Sequence, residues 1–207
     1  MFILLVVVAG SYLLGSIPFG YLIGRIGGTD IRQAGSCNIG ATNVVRILGK
    51  RYGYPVFVLD FLKGFGAVKF SMLLATRPPP TFNLPEVFGV IAAACSVVGH
   101  IYPLWLRFKG GKGVATSAGA LFALTTLGGL IALATWIVIF WLTRYVSVAS
   151  VTAAVVLPFA ILVISWRNQG AKTIFYFSIC AAGLVIWRHR SNLSRLMQGT
   201  EPRFTRK

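Results

Sequence analysis

Carboxylates are scarce in this chain. Its 207 residues hold four acids, Asp30, Asp60, Glu86 and Glu201, widely spaced. A paired-carboxylate mechanism and a carboxylate-rich Mg²⁺ site are therefore not expected, and the sequence implies no metal and no cofactor. Cysteine is scarce too. Cys37, Cys95 and Cys180 are scattered, odd in number and form no CxxC pair, which suggests neither a disulfide framework nor a zinc site. Strands of alternating polarity are missing, so a β-barrel is not expected. No linker, low-complexity tract or internal repeat interrupts the chain, and residues 1–207 read as a single domain. The first residues, MFILLVVVAG, lack the basic n-region of a cleaved signal peptide and read as the start of a retained helix.

What the chain does have is apolar length. It is 56% hydrophobic, with a mean hydropathy of +0.77. Several runs approach the roughly 20 residues that a helix needs to cross a hydrocarbon core. The sequence therefore predicts an all-α integral membrane protein. The runs are about 2–24, 53–76, 86–106, 114–141, 146–166 and 171–187. The fourth run, of 28 residues, would make a helix about 42 Å long, well beyond a core of about 30 Å. Two shorter helices hinged at Gly128-Gly129 fit better. RPPP at 77–80 ends the second run, and Pro18 bends the first. Ser16, Gly20 and Gly24 form a small-residue stripe on that first helix, read as packing.

Charge decides between six spans and seven. Twenty Lys and Arg stand against the four acids. Such a balance suits nucleic acid, anionic headgroups or anionic substrates. In a membrane bundle part of it follows from the positive-inside rule, and nucleic acid is not expected as a partner. With seven spans, segments 25–52, 107–113, Arg144 and the tail from Arg188 fall on one side and carry fifteen of the twenty cations. Arg77, Arg167 and Lys172 fall on the other. The sequence thus predicts seven transmembrane helices, with the N-terminus outside and the C-terminus in the cytoplasm.

Three polar stretches then share the cytoplasmic face: GSCNIGATNVVR (35–46), RFKGGKG (107–113) and RHRSNLSRLMQGTE (188–201). Glycines let backbone N–H groups converge on phosphate oxygens. Lys and Arg add charge-assisted hydrogen bonds. KGGKG precedes the helix predicted from Val114, whose unpaired N–H groups also suit an anion. ATNVVRIL (41–48) reads as a short amphipathic helix with a second anion-facing end. The alternative for any one stretch is a flexible loop that attracts lipid phosphate. KGGKG is no nucleotide P-loop, because Gly113 stands where a hydroxyl residue is required.

Two other features are open. Asp60 and Lys63 share a face of the second run; a structural ion pair is the first reading and a role in the site the second. His100 is read as a hydrogen-bonded structural residue before a catalyst. His189 and Asn192, three apart, would share a helix face and approach substrate.

Taken in order, GSxNxGATNxxR (Gly35–Arg46), LDFLKG (Leu59–Gly64), GHIYPLWLRFKGGKGVAT (Gly99–Thr116) and RHRSNLSRLMQGTE (Arg188–Glu201) resemble the bacterial acyl-phosphate:glycerol-3-phosphate acyltransferases, the PlsY family, over nearly the whole chain. The resemblance implies a seven-helix enzyme of the bacterial inner membrane. It implies transfer of a fatty acyl group from acyl phosphate to the 1-hydroxyl of glycerol 3-phosphate, giving lysophosphatidic acid and phosphate for phospholipid synthesis. Membrane lipid surrounds the site, and the acyl tail would lie in a groove open to it. The family's phosphate-handling residues fall on Ser36, Asn38, Thr42, Asn43 and Arg46, then on Lys109, Gly110, Gly111, Lys112 and Gly113, then on His189 and Asn192. Among these, Ser36, Arg46, Lys112, His189 and Asn192 are the expected catalytic set. One position departs from the pattern: Cys37 stands where the family has glycine. If that residue takes a positive φ, the cysteine is strained.

No base for the acceptor hydroxyl is evident. An HxxxxD motif is missing, since Trp105 follows His100 and Ser194 follows His189 at that spacing. Substrate assistance is the expectation, with an oxygen of the acyl phosphate taking the proton. The main alternative function is an anion transporter or channel. It would place charge nearer the midplane and show two related halves.

Overall fold

The computed structural model describes residues 2–76, 85–165 and 169–204. RPPP, Arg77 and Arg167 lie outside the described residues. The elements are α1 (Phe2–Ser16), α2 (Phe19–Ile26), α3 (Ala41–Leu48), α4 (Lys50–Ala75), α5 (Pro85–Ile101), α6 (Val114–Leu124), α7 (Thr126–Thr143), α8 (Val146–Ser165), α9 (Gln169–Arg188) and α10 (Arg190–Met197). Among the described residues there is no strand. Among those residues four helical stretches are long and apolar enough to cross a membrane: Phe2–Ile26, Pro85–Leu106, Thr126–Thr143 and Val146–Ile164. The chain divides into two compact units, Met1–Leu124 and Thr125–Lys207.

In the first unit α4 is the central helix, packed on α1, α3, α5 and α6. Small residues make the contacts close. A Cβ on Gly64 of α4 would strike the Thr116 carbonyl, and one on Gly119 of α6 would strike the Phe61 carbonyl. The two backbones therefore touch on both sides, as small residues allow in lipid. α6 is 11 residues, about 16 Å at the usual rise. Its Thr116, Ser117, Gly119, Ala120, Leu121 and Ala123 are buried, so it is wrapped by protein rather than by lipid.

Pro18 separates α1 from α2, as a proline with no N–H should. The small stripe meets both helices and loop: Ser16 lies against Gly99 of α5, and Gly20 against Val56 of α4. Gly20 faces the Ile39 carbonyl, and Gly24 faces Ile31 and Thr29. The stripe seats the loop between α2 and α3.

In the second unit α7 packs on α8, and α8 on α9, with α10 against both α8 and α9. The break after α6 falls at Thr125, not at Gly128-Gly129. Thr125 is extended (φ −148°, ψ 94°) and its Oγ1 accepts from Gly128 N at 3.4 Å. The glycines lie inside α7 and are buried. A hydroxyl cap that satisfies a first-turn N–H ends one helix and starts the next, whereas glycine only lowers helix propensity.

Candidate active site

Residues 41–48 form α3, the helix that the amphipathic pattern predicts. The loop before it is organised by one side chain. Asn43 is 2% exposed. Its Oδ1 accepts from Ser36 N at 2.9 Å, and its Nδ2 lies 3.1, 3.0 and 2.9 Å from the carbonyls of Ile31, Ala34 and Asn38. The amide of Asn43 thus faces the loop's own backbone rather than outward. Asn38 Oδ1 accepts from Gly40 N at 2.8 Å and sets up the turn into α3. Ser36, Cys37 and Arg46 are exposed, and Thr42 is half-buried.

Gly35 and Cys37 both have positive φ, +59° and +55°. A Cβ at Gly35 would also strike Asn43 Oδ1. Glycine suits Gly35 on both counts. Cys37 takes the left-handed conformation without that freedom, so the strain foreseen for it is present.

The second loop is pinned from behind. Gly110 N donates to the Ile101 carbonyl at 3.0 Å and Gly111 N to the His100 carbonyl at 3.1 Å. These two N–H groups therefore face the end of α5. Carbonyls left over at a helix C-terminus attract such donors. What the glycines supply is proximity: a Cβ on Gly110 would meet the His100 carbonyl, and one on Gly111 would meet the His100 ring. Gly113, with φ +83°, turns the chain into α6. Lys109 is exposed and Lys112 half-buried.

Both loops adjoin one apolar cluster, in which Ile39 and Val44 of the first pack with Ile31 just before it, with Leu106 next to the second, and with Val56 of α4. The structure thus brings GSCNIGATNVVR and RFKGGKG to the same end of α4. The local charge is cationic. Asp30 is tied to Arg32 at 2.6 Å, and that hydrogen bond holds its carboxyl at about 2, ionised and already paired.

His189 and Asn192 belong to the second unit. His189 precedes α10 and is 3% exposed. Its Nδ1 lies 2.8 Å from the Val185 carbonyl. A carbonyl only accepts, so Nδ1 carries a proton. Asn192 Nδ2 donates to Glu201 Oε1 at 2.6 Å, and Ser147 Oγ and Arg195 Nε donate to the same carboxylate at 3.0 and 2.9 Å. Burial pushes the Glu201 carboxyl up, but the three donors outweigh it and leave it below the usual range. Glu201 is the residue that sequence reasoning passed over. The available signal was an acid inside the most basic segment of the chain.

The sequence pattern of the glycerol-3-phosphate acyltransferase family matches residues 5–199. The chain is 42% identical over 194 residues to a glycerol-3-phosphate acyltransferase of Aquifex aeolicus (strain VF5), covering 94% of this chain and 95% of that one. It is 42% identical over 202 residues to one of Geotalea daltonii (strain DSM 22248 / JCM 15807 / FRC-32), covering 98% of each. Its fold is similar to that of PlsY (YgiH), an integral membrane glycerol 3-phosphate acyltransferase, in the glycerol 3-phosphate form. The TM-score is 0.85 at 42% identity, covering 98% of this chain and 96% of that one. The lysophosphatidic acid form of PlsY gives a TM-score of 0.83 at 41% identity, covering 98% of this chain and 95% of that one.

Proposed function

The chain belongs to the glycerol-3-phosphate acyltransferase family, and from that we propose a donor, a mechanism and a set of residues for its reaction. It is an integral membrane enzyme of phospholipid synthesis that acylates glycerol 3-phosphate. The transporter alternative is set aside by that membership.

The donor in this reading is acyl phosphate. The observation that carries it is the pair of cationic loops around one apolar cluster at the end of α4. A reaction between two phosphate-bearing substrates needs two such anion sites. Arg46, on the exposed side of α3, and Lys112, beside the first turn of α6, are the charge donors. Ser36, Asn38 and Thr42 line the first loop, and Lys109 and Gly113 the second. Asn43, Gly110 and Gly111 act through the backbone they hold. His189 and Asn192 are assigned to substrate contact on the resemblance of RHRSNLSRLMQGTE. The chain, 1–207, acts as one acyltransferase domain in the bacterial inner membrane. Seven spans put these loops on the cytoplasmic side.

In the reaction, the 1-hydroxyl oxygen bonds to the acyl carbonyl carbon, the carbonyl carbon–oxygen bond to phosphate breaks, and the hydroxyl proton passes to a phosphate oxygen. The leaving group already is a good one, so the protein contributes positioning and cationic stabilisation of developing charge. The acyl tail lies in a groove open to lipid.

Purified protein given glycerol 3-phosphate and palmitoyl phosphate should release inorganic phosphate and form lysophosphatidic acid. Turnover with palmitoyl-CoA alone would overturn the donor. Arg46→Ala and Lys112→Ala should each lower kcat/KM by about 100-fold or more, as for loss of a charge-stabilising donor. If His189→Ala instead abolished kcat with both KM values unchanged, a histidine base would replace substrate assistance.

A further inference from the structure

Behind the second loop lies a buried cluster that the proposed chemistry does not use. Asp60, Lys63 and His100 are 2%, 3% and 4% exposed. Lys63 Nζ sits 2.8 Å from Asp60 Oδ1 and donates to the Ile17 carbonyl at 2.9 Å. The same Oδ1 lies 3.5 Å from His100 Nδ1. Ionisable groups at membrane depth are costly, and those that persist are paired or in use. Lys63 alone already neutralises the carboxylate. A third polar group is not needed for charge balance, so the value of the imidazole lies in where it is held.

The far edge of that ring, Nε2 with Cδ2 and Cε1, occupies the space where a Cβ on Gly111 would stand. The backbone of the same residue receives the Gly111 N–H, and its neighbour Ile101 receives that of Gly110. The loop is thus fixed by two main-chain bonds and one imidazole face. The next residue is Lys112. Displacing a catalytic group by about 1 Å can lower a rate 100-fold.

We infer that Asp60 and His100 are positioning residues: the carboxylate sets the imidazole, the imidazole sets Gly111, and Gly111 sets Lys112. Lys63 pairs with the carboxylate and ties the assembly to the break before Pro18. The inference rests on the reading that Lys112 meets a substrate phosphate.

The test is a double-mutant cycle on the full chain in lipid nanodiscs, with palmitoyl phosphate and glycerol 3-phosphate. His100→Ala should lower kcat/KM about tenfold and alter the same kinetic parameter that Lys112→Ala alters. His100→Asn, which keeps a polar group facing Asp60, should recover to within about threefold of the parent. In the Lys112→Ala background His100→Ala should cause no further loss, because it acts only through that side chain. Multiplicative losses would overturn the inference, as would a lowered melting temperature with unchanged kinetics. Should His100→Ala fail to fold, Gly111→Ala serves in its place, since its methyl displaces the same ring. An undiminished Lys112→Ala enzyme would sink the loop assignment itself, a result distinct from either.

Discussion

At the scale of single residues, Cys37 and Asn43 show what a motif does and does not reveal. Both sit in GSCNIGATNVVR. Cys37 is exposed, with φ +55°. A non-glycine residue there costs about 1–2 kcal/mol, partly offset because glycine would also loosen the unfolded chain. Cys37→Gly should therefore raise the apparent melting temperature by about 2–4 °C with activity retained. A lowered value in a thermal shift assay would show that the thiol supports the loop. The family resemblance implies a phosphate-handling role for Asn43. Its amide closes the loop on itself, bonded to the backbone of Ser36, Ile31, Ala34 and Asn38. A polar side chain in a motif has the same letters whether it faces inward or outward; burial alone separates the cases.

Among the elements, α10 and the tail behind it hang on one carboxylate. Glu201 takes hydrogen bonds from Asn192, Ser147 and Arg195, and its side chain is 7% exposed. Glu201→Gln should destabilise the protein by about 1–3 kcal/mol, the usual loss for a hydrogen-bonded charge. The pH dependence follows from the direction of its shift. Its folded pKa lies below the unfolded value of about 4.3. Its contribution is therefore complete above that value and is lost as pH falls through the lower, folded one. Thermal melts of parent and Glu201→Gln between pH 3 and 7 should converge at the acid end. A gap that stays constant would remove Glu201 as the cause. The helices themselves were largely legible, because apolar runs and prolines mark them. The break at Thr125 was not. Gly128-Gly129 is the more conspicuous signal, yet a threonine cap decides where the helix ends. Nor was the direction of the Gly110 and Gly111 N–H groups legible, because sequence does not say which carbonyls a neighbouring helix leaves over.

For the whole molecule the cation distribution favours seven spans, and among the described residues four stretches qualify by length and composition. On that reading Cys37 faces the cytoplasm. A membrane-impermeant maleimide should leave it unlabelled in intact cells and label it after permeabilisation, while a cysteine introduced at Phe2 should label from outside. Reaction of Cys37 in intact cells would reverse the orientation. One contact also bears on how the protein is made. The Ile17 carbonyl, at the break between α1 and α2, accepts from Phe19 N and also from Lys63 of α4. The break left by Pro18 is thus bonded to a helix that is made later. The first span reaches its final contacts only once α4 has been synthesised.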